Sequence, residues 1–167
     1  MHTSSYKIVS FYEFIKLKHL EQLKLKLFIF LKNYDFKGTV LLANEGVNGT
    51  LSLKAEYLKK FEKFLTETFN KKIMLKIHNH ENHVFLRLKI KIKNEIIRLG
   101  KKDISPRINT GNYVQPEEWD QLIKEKDVLL VDTRNNYESK IGSFKGSLRV
   151  NSSNFTEITK WVKKNDE

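Results

Sequence analysis

Between Val84 and Lys93 apolar and basic side chains alternate: Leu86, Leu88, Ile90 and Ile92 would share one face of an extended strand, Arg87, Lys89, Lys91 and Lys93 the other. At ~3.3 Å per residue the four cations recur every ~6.6 Å, close to the phosphate spacing of an extended nucleic-acid strand. Such a row can neutralise phosphates and give RNA binding that weakens with salt. The same alternation also describes an edge or solvent-facing strand whose lysines discourage aggregation. The surrounding charge favours RNA: residues 1–100 hold 19 Lys and Arg against 9 Asp and Glu, whereas residues 101–167 hold 12 against 11.

Three further groups have the residue types for chemistry. Asn44-Glu45-Gly46-Val47-Asn48-Gly49-Thr50 could bring backbone amides close to a phosphate or base, with Asn44, Glu45 and Asn48 near the substrate. It lacks the spacing of a nucleotide-binding loop and also reads as a plain hairpin. His78, His80 and His83, with Glu81, supply metal-ligand types, but their spacing fits no standard site and no metal is assigned. Asp132-Thr133-Arg134 follows an apolar run, where open α/β sheets place binding loops; ion pairing that holds the loop is favoured over direct catalysis. The 167 residues include no cysteine, which excludes thiolate nucleophiles, persulfide carriers, disulfides and Cys-ligated zinc. The serines have no histidine partner that would make a nucleophile, so no catalytic residue is assigned.

These groups need a scaffold, and the periodicity predicts α+β. A strand over Lys7–Tyr12 precedes a helix within 14–33, spaced by Leu17, Leu20, Leu27 and Leu31. Runs at Thr39–Ala43 and Thr50–Leu53 flank Asn48-Gly49, which suits a tight reversal. A helix over 55–69 is striped by Leu58, Phe61, Leu65 and Phe69, and β-type runs follow at Ile73–Ile77 and Val84–Ile97. The order βαββαβ with an added strand matches a ferredoxin-like domain over 1–99. A linker at 100–112 contains Pro106 and is bracketed by Gly100 and Gly111. From 113 to 167 a helix opens at Pro116-Glu117-Glu118-Trp119, Val128–Val131 reads as a parallel strand buried on both faces, and a last helix carries Phe155, Ile158 and Trp161. No convincing partner strands are visible, so this α/β part reads as incomplete. Lys24, Lys26 and Lys32 break the one stretch long enough to suggest a membrane span, and no leader pattern opens the chain; cytoplasm is expected.

The motifs together resemble the rhodanese-domain-containing tRNA uridine hydroxylases. The likeness is carried by Leu41-Leu42-Ala43-Asn44-Glu45-Gly46-Val47-Asn48-Gly49-Thr50, by Arg87 through Lys93, by Gly111-Asn112-Tyr113-Val114 with Pro116 and Trp119, and by Val131-Asp132-Thr133-Arg134 through Glu138 with Ile141-Gly142. It implies a ferredoxin-like domain that engages tRNA and a rhodanese domain after it, jointly making 5-hydroxyuridine at the anticodon wobble position with molecular oxygen as co-substrate; no other cofactor is identified. Asp132 and Arg134 would be structural residues of the rhodanese part. The family's essential cysteine would follow the Trp161 helix and is absent here, so the chain alone is expected to be inactive and to retain at most tRNA binding. Gly146-Ser147-Leu148-Arg149-Val150-Asn151 lacks the proline of the usual Gly-Ala-Ile-Asn-Pro-like passage, and Thr159 stands where the family usually has a proline ahead of Trp161. The alternative is a non-enzymatic interaction module or split-gene remnant that pairs with a separately encoded C-terminal rhodanese fragment.

Overall fold

A computed structural model describes residues 5–97, 111–150, 152 and 156–164, and the chain divides into two compact units, Met1–Ile97 and Arg98–Glu167. In the first unit, β1 (Tyr6–Phe14) buries Val9 and Phe11 and turns Ser10 and Tyr12 the other way. Helix α1 spans Leu20–Asn33 and buries Leu27 and Leu31. It starts later than the leucine spacing suggests because two donors before it are taken: Ile15 N–H donates to the Glu45 carbonyl and Leu17 N–H to that of Asn44, both at 2.9 Å.

Strands β2 (Lys37–Ala43) and β3 (Gly46–Lys54) form an antiparallel hairpin with Ala43 opposite Gly46. The reversal therefore falls at Asn44-Glu45, which corrects the expected turn at Asn48-Gly49. Asn48 lies inside the sheet, paired with Leu41 on one side and Tyr12 on the other. Packing explains Gly49 instead, since a Cβ there would meet the Phe11 ring at 2.5 Å.

A 3₁₀ turn at Ala55–Tyr57 leads into α2 (Leu58–Phe69), which buries Phe61, Leu65 and Phe69. Strand β4 (Lys76–His80) overlaps only the end of the expected Ile73–Ile77 run, because Ile73 enters the core ahead of the strand. Strand β5 keeps only Leu88–Ile92 of the longer predicted run; Leu86 is 97% exposed and joins no core face.

The sheet order is β4-β1-β3-β2-β5. Each neighbouring pair among its first four strands is antiparallel, as in the ferredoxin-like arrangement, and β5 adds to the β2 edge in parallel. The core runs between one sheet face and the two helices, with Phe30 and Phe64 stacked at 3.7 Å and Phe11 edge-on to Phe61. At about 1.5–3 kcal/mol for each fully buried large side chain, this cluster dominates the unit's stability.

The second unit contains α3 (Pro116–Leu122), β6 (Val131–Asp132), α4 (Asn136–Ile141), β7 (Leu148–Arg149) and α5 (Thr156–Lys164). Glu118 accepts the Gln115 N–H at the start of α3, and Glu138 accepts that of Asn135 at the start of α4. Strand β6 pairs in parallel with β7, a partner the sequence did not reveal. The Val128–Val131 run is not a strand buried on both faces: only Val131 joins the ladder, and Leu129 is 64% exposed. Apart from Gly111 and Asn112, the linker expected at 100–112 lies outside the described residues, as do Asn151 and Phe155.

Candidate nucleic-acid interface

Helices α1 and α2 cover one face of the five-stranded sheet; pairing register gives the composition of the other. Lys76 of β4, Ser10 of β1, Thr50 of β3, Thr39 of β2 and Lys89 of β5 lie side by side across it. The next row contains Tyr12, Asn48, Leu41 and Lys91. The Ser10 and Thr50 hydroxyls are 3.3 Å apart. A lane of half-buried hydroxyls thus runs between two cationic edges.

Arg87 and Lys93 continue the β5 edge beyond the strand itself. Gly38 N–H donates to the Arg87 carbonyl at 3.1 Å, and Lys93 N–H donates to the Leu42 carbonyl at 2.8 Å. All four predicted cations therefore turn their backbones toward β2 and share the helix-free face, while Leu88, Ile90 and Ile92 pack toward the core. Arg87, Lys91 and Lys93 are exposed and Lys89 is half-buried. Among the described residues none of the four has a carboxylate within ion-pair distance. Their charge is available to an outside anion.

Two segments strap this face, one at each end. At the first, His83 Nδ1 lies 2.8 Å from the Ser52 hydroxyl, its Nε2 lies 3.3 Å from Asp35, and its ring contacts Tyr6. At the second, Ile96 N–H donates to Glu45 Oε1 at 2.7 Å and the Ile96 carbonyl accepts from Asn48 Nδ2 at 3.1 Å. Gly46 makes room for this contact: a Cβ would stand 2.1 Å from the Glu13 carbonyl oxygen and 3.0 Å from Ile96 Cδ1. Glu45 and Asn48 thus hold the protein's own backbone beside the hydroxyl lane, while Asn44 is exposed at the hairpin tip. The histidines do not gather: His78 is exposed on β4, His80 bonds the backbone of Asn82, and His83 forms the strap.

In the second unit Arg134 grips Asp132 with two side-chain hydrogen bonds, Nε to Oδ1 at 3.0 Å and a terminal nitrogen to Oδ2 at 2.7 Å, and reaches the Gly142 carbonyl at 2.6 Å. The Arg134 side chain first, and its backbone N–H second, hold the Asp132 carboxyl well below the usual carboxylate range; Asp132 in turn raises Arg134. The pair lines a hollow of about 480 Å³, with Trp119 stacked on Phe144 at its rim. Since each group occupies the other, the arrangement braces a loop.

Ser10, Thr39, Thr50 and Lys76 were missed by sequence reasoning. Only Thr50 had a signal, the polar alternation Asn48, Thr50, Ser52 and Lys54 along β3; Ser10 shares its face of β1 with Ile8 and Phe14, and Thr39 and Lys76 join the row only once register aligns the strands.

Residues 6–96 match the family described as the UPF0176 acylphosphatase like domain. The chain belongs to the UPF0176 family. Curated relatives agree with the resemblance read from the motifs. This UPF0176 chain is 39% identical to the tRNA uridine(34) hydroxylase of Prochlorococcus marinus subsp. pastoris, across 99% of its own length and 54% of that protein's. It is 37% identical to the tRNA uridine(34) hydroxylase of Bartonella quintana, covering 97% of this chain and 54% of that one. For the Rickettsia rickettsii (strain Sheila Smith) protein of the same name the figures are 35%, 96% and 65%. The chain spans about half the length of most of these relatives. No helix among the described residues is long and apolar enough to cross a membrane.

Proposed function

We propose that this chain is the tRNA-engaging part of a cytoplasmic wobble-uridine hydroxylase. The first unit grips tRNA on its helix-free sheet face; the second is the N-terminal portion of a rhodanese-like domain braced by Asp132 and Arg134. In the whole enzyme molecular oxygen is the co-substrate for 5-hydroxyuridine. Lacking a cysteine, this chain does not hydroxylate uridine by itself.

The observation that carries the reading is the in-register row Arg87, Lys89, Lys91 and Lys93, unopposed by carboxylates among the described residues and bordering the Ser10–Thr50–Thr39 lane. Phosphates would sit on the row, while the hydroxyls would meet sugar and base edges. Asn44, at the adjoining hairpin tip, would approach the target nucleotide, with Glu45 and Asn48 shaping that end of the surface through Ile96. Filter binding of tRNA across a salt series tests this. The logarithm of affinity should fall linearly with that of salt, and replacing all four cations by glutamine should flatten the slope by roughly 3. An unchanged slope would overturn the assignment.

A second reading rests on the second unit, which among its described residues shows one two-residue parallel pair and large exposed apolar side chains, Ile141 at 88% among them. Parallel sheets are normally covered on both faces. The unit would then dock a separately encoded rhodanese fragment, and coexpression with such a fragment should restore 5-hydroxyuridine if the chain is half of an enzyme.

A further inference from the structure

The outer edge of β5 carries two alternating patterns at once. In its parallel ladder with β2 the odd-numbered residues from Arg87 to Lys93 direct their N–H and C=O groups inward, so Leu88, Ile90 and Ile92 direct theirs outward. Among the described residues no further strand pairs with this edge. Beside it α1 leaves Leu25 59% and Phe28 42% exposed, outside the unit's core cluster. A groove of about 650 Å³ runs between them, with Leu88 and Ile90 on its strand wall. Its rim is basic: Lys24, Lys89 and Lys91 line it, Lys32 Nζ lies 5.5 Å from the Phe28 ring, and its one acid, Glu21, pairs with Lys24.

We propose that this groove binds an extended acidic peptide segment that adds a sixth strand to β5. Directly opposed residues of neighbouring strands share a face. Acids opposite Lys89 and Lys91 would therefore pair with those cations, while apolar residues opposite Leu88, Ile90 and Ile92 would drop against Leu25 and Phe28. The ligand is thus a strand of alternating acidic and apolar residues, held by backbone hydrogen bonds and selected by charge. A second copy of this chain is disfavoured because edge-to-edge pairing would set lysine against lysine. An RNA strand offers no alternating amide donors and acceptors for the Leu88, Ile90 and Ile92 backbone. The inference rests on the outward-facing backbone of β5 and the Leu25–Phe28 wall, which the tRNA reading does not use, although Lys89 and Lys91 are common to both.

The test uses the full ¹⁵N-labelled chain and a capped hexapeptide of alternating glutamate and valine. The expected result is chemical-shift change and about tenfold slower hydrogen exchange at the Leu88 and Ile90 amides. N-methylation of the peptide amides facing the edge should abolish this, a lysine–valine peptide should bind at least about tenfold more weakly, and Phe28→Glu should weaken the glutamate peptide about tenfold with other amide resonances in place. Absence of any β5 response, equal binding of the N-methylated peptide, or a β5 response only to single-stranded oligouridylate would overturn the proposal. Loss of tRNA binding in the four-cation variant would leave it standing.

Discussion

The two units solve the same problem, covering a sheet, with very different completeness. In the first, one face of five strands is sealed by two helices around Val9, Val40, Leu51, Phe61 and Leu65, all essentially inaccessible. In the second, the hydrophobic residues buried among those described are Val150 and Ile158, while Leu129, Tyr137, Ile141 and Phe144 are exposed around two short strands. The difference teaches that local signals and tertiary burial are separable. The second unit has well-formed helix caps and a strong Asp–Arg brace, yet its stability rests on few packed side chains.

The contrast is sharpest in core deletions. Phe61→Ala should cost about 3–5 kcal/mol and unfold much of the first unit, whereas Ile158→Ala should cost about 2 kcal/mol, because a loosely packed site relaxes. Both tryptophans, Trp119 and Trp161, belong to the second unit, so their fluorescence reports it selectively. In a urea titration of the unaltered chain the fluorescence transition should precede the far-ultraviolet circular dichroism transition of the sheet. A single coincident transition would break the comparison.

Next in size is Gly46→Ala, expected to destabilise the first unit by roughly 1–3 kcal/mol, because the new methyl meets a backbone oxygen that cannot move aside. Glu45→Ala should cost about 1–2 kcal/mol and speed hydrogen exchange at Ile96, with a non-additive double variant when combined with Asn48→Ala, as both bonds hold one residue.

The smallest effect belongs to the Asp132–Arg134 pair, whose arginine is half-exposed and screened by solvent. Because folding lowers the Asp132 pKa, its contribution is present above the unfolded value near 4 and is lost as pH falls below it. Asp132→Asn should therefore weaken the second unit at neutral pH and match the parent in acid, as followed by tryptophan fluorescence.

Much of the first unit was legible because its signals repeat. The helical leucine and phenylalanine stripes and the β5 alternation each recur over several residues and survive errors at the ends. The hairpin turn was misplaced because Asn48-Gly49 has turn chemistry, yet Gly49 is required by the Phe11 ring, a contact that exists only after β1 and β3 pair. The same holds for Glu45 and Asn48, whose partner Ile96 lies about fifty residues away. Two-residue strands such as β6 and β7 carry no period at all, so their pairing could not be read from sequence.

The most direct measurement is amide chemical-shift mapping of the chain with an anticodon stem–loop RNA at low salt. Binding through the helix-free face predicts shifts at Thr39, Thr50, Ser10 and the Lys89–Lys93 segment, fading as salt rises. Shifts confined to α2 or to the second unit, with that sheet face silent, would contradict the account.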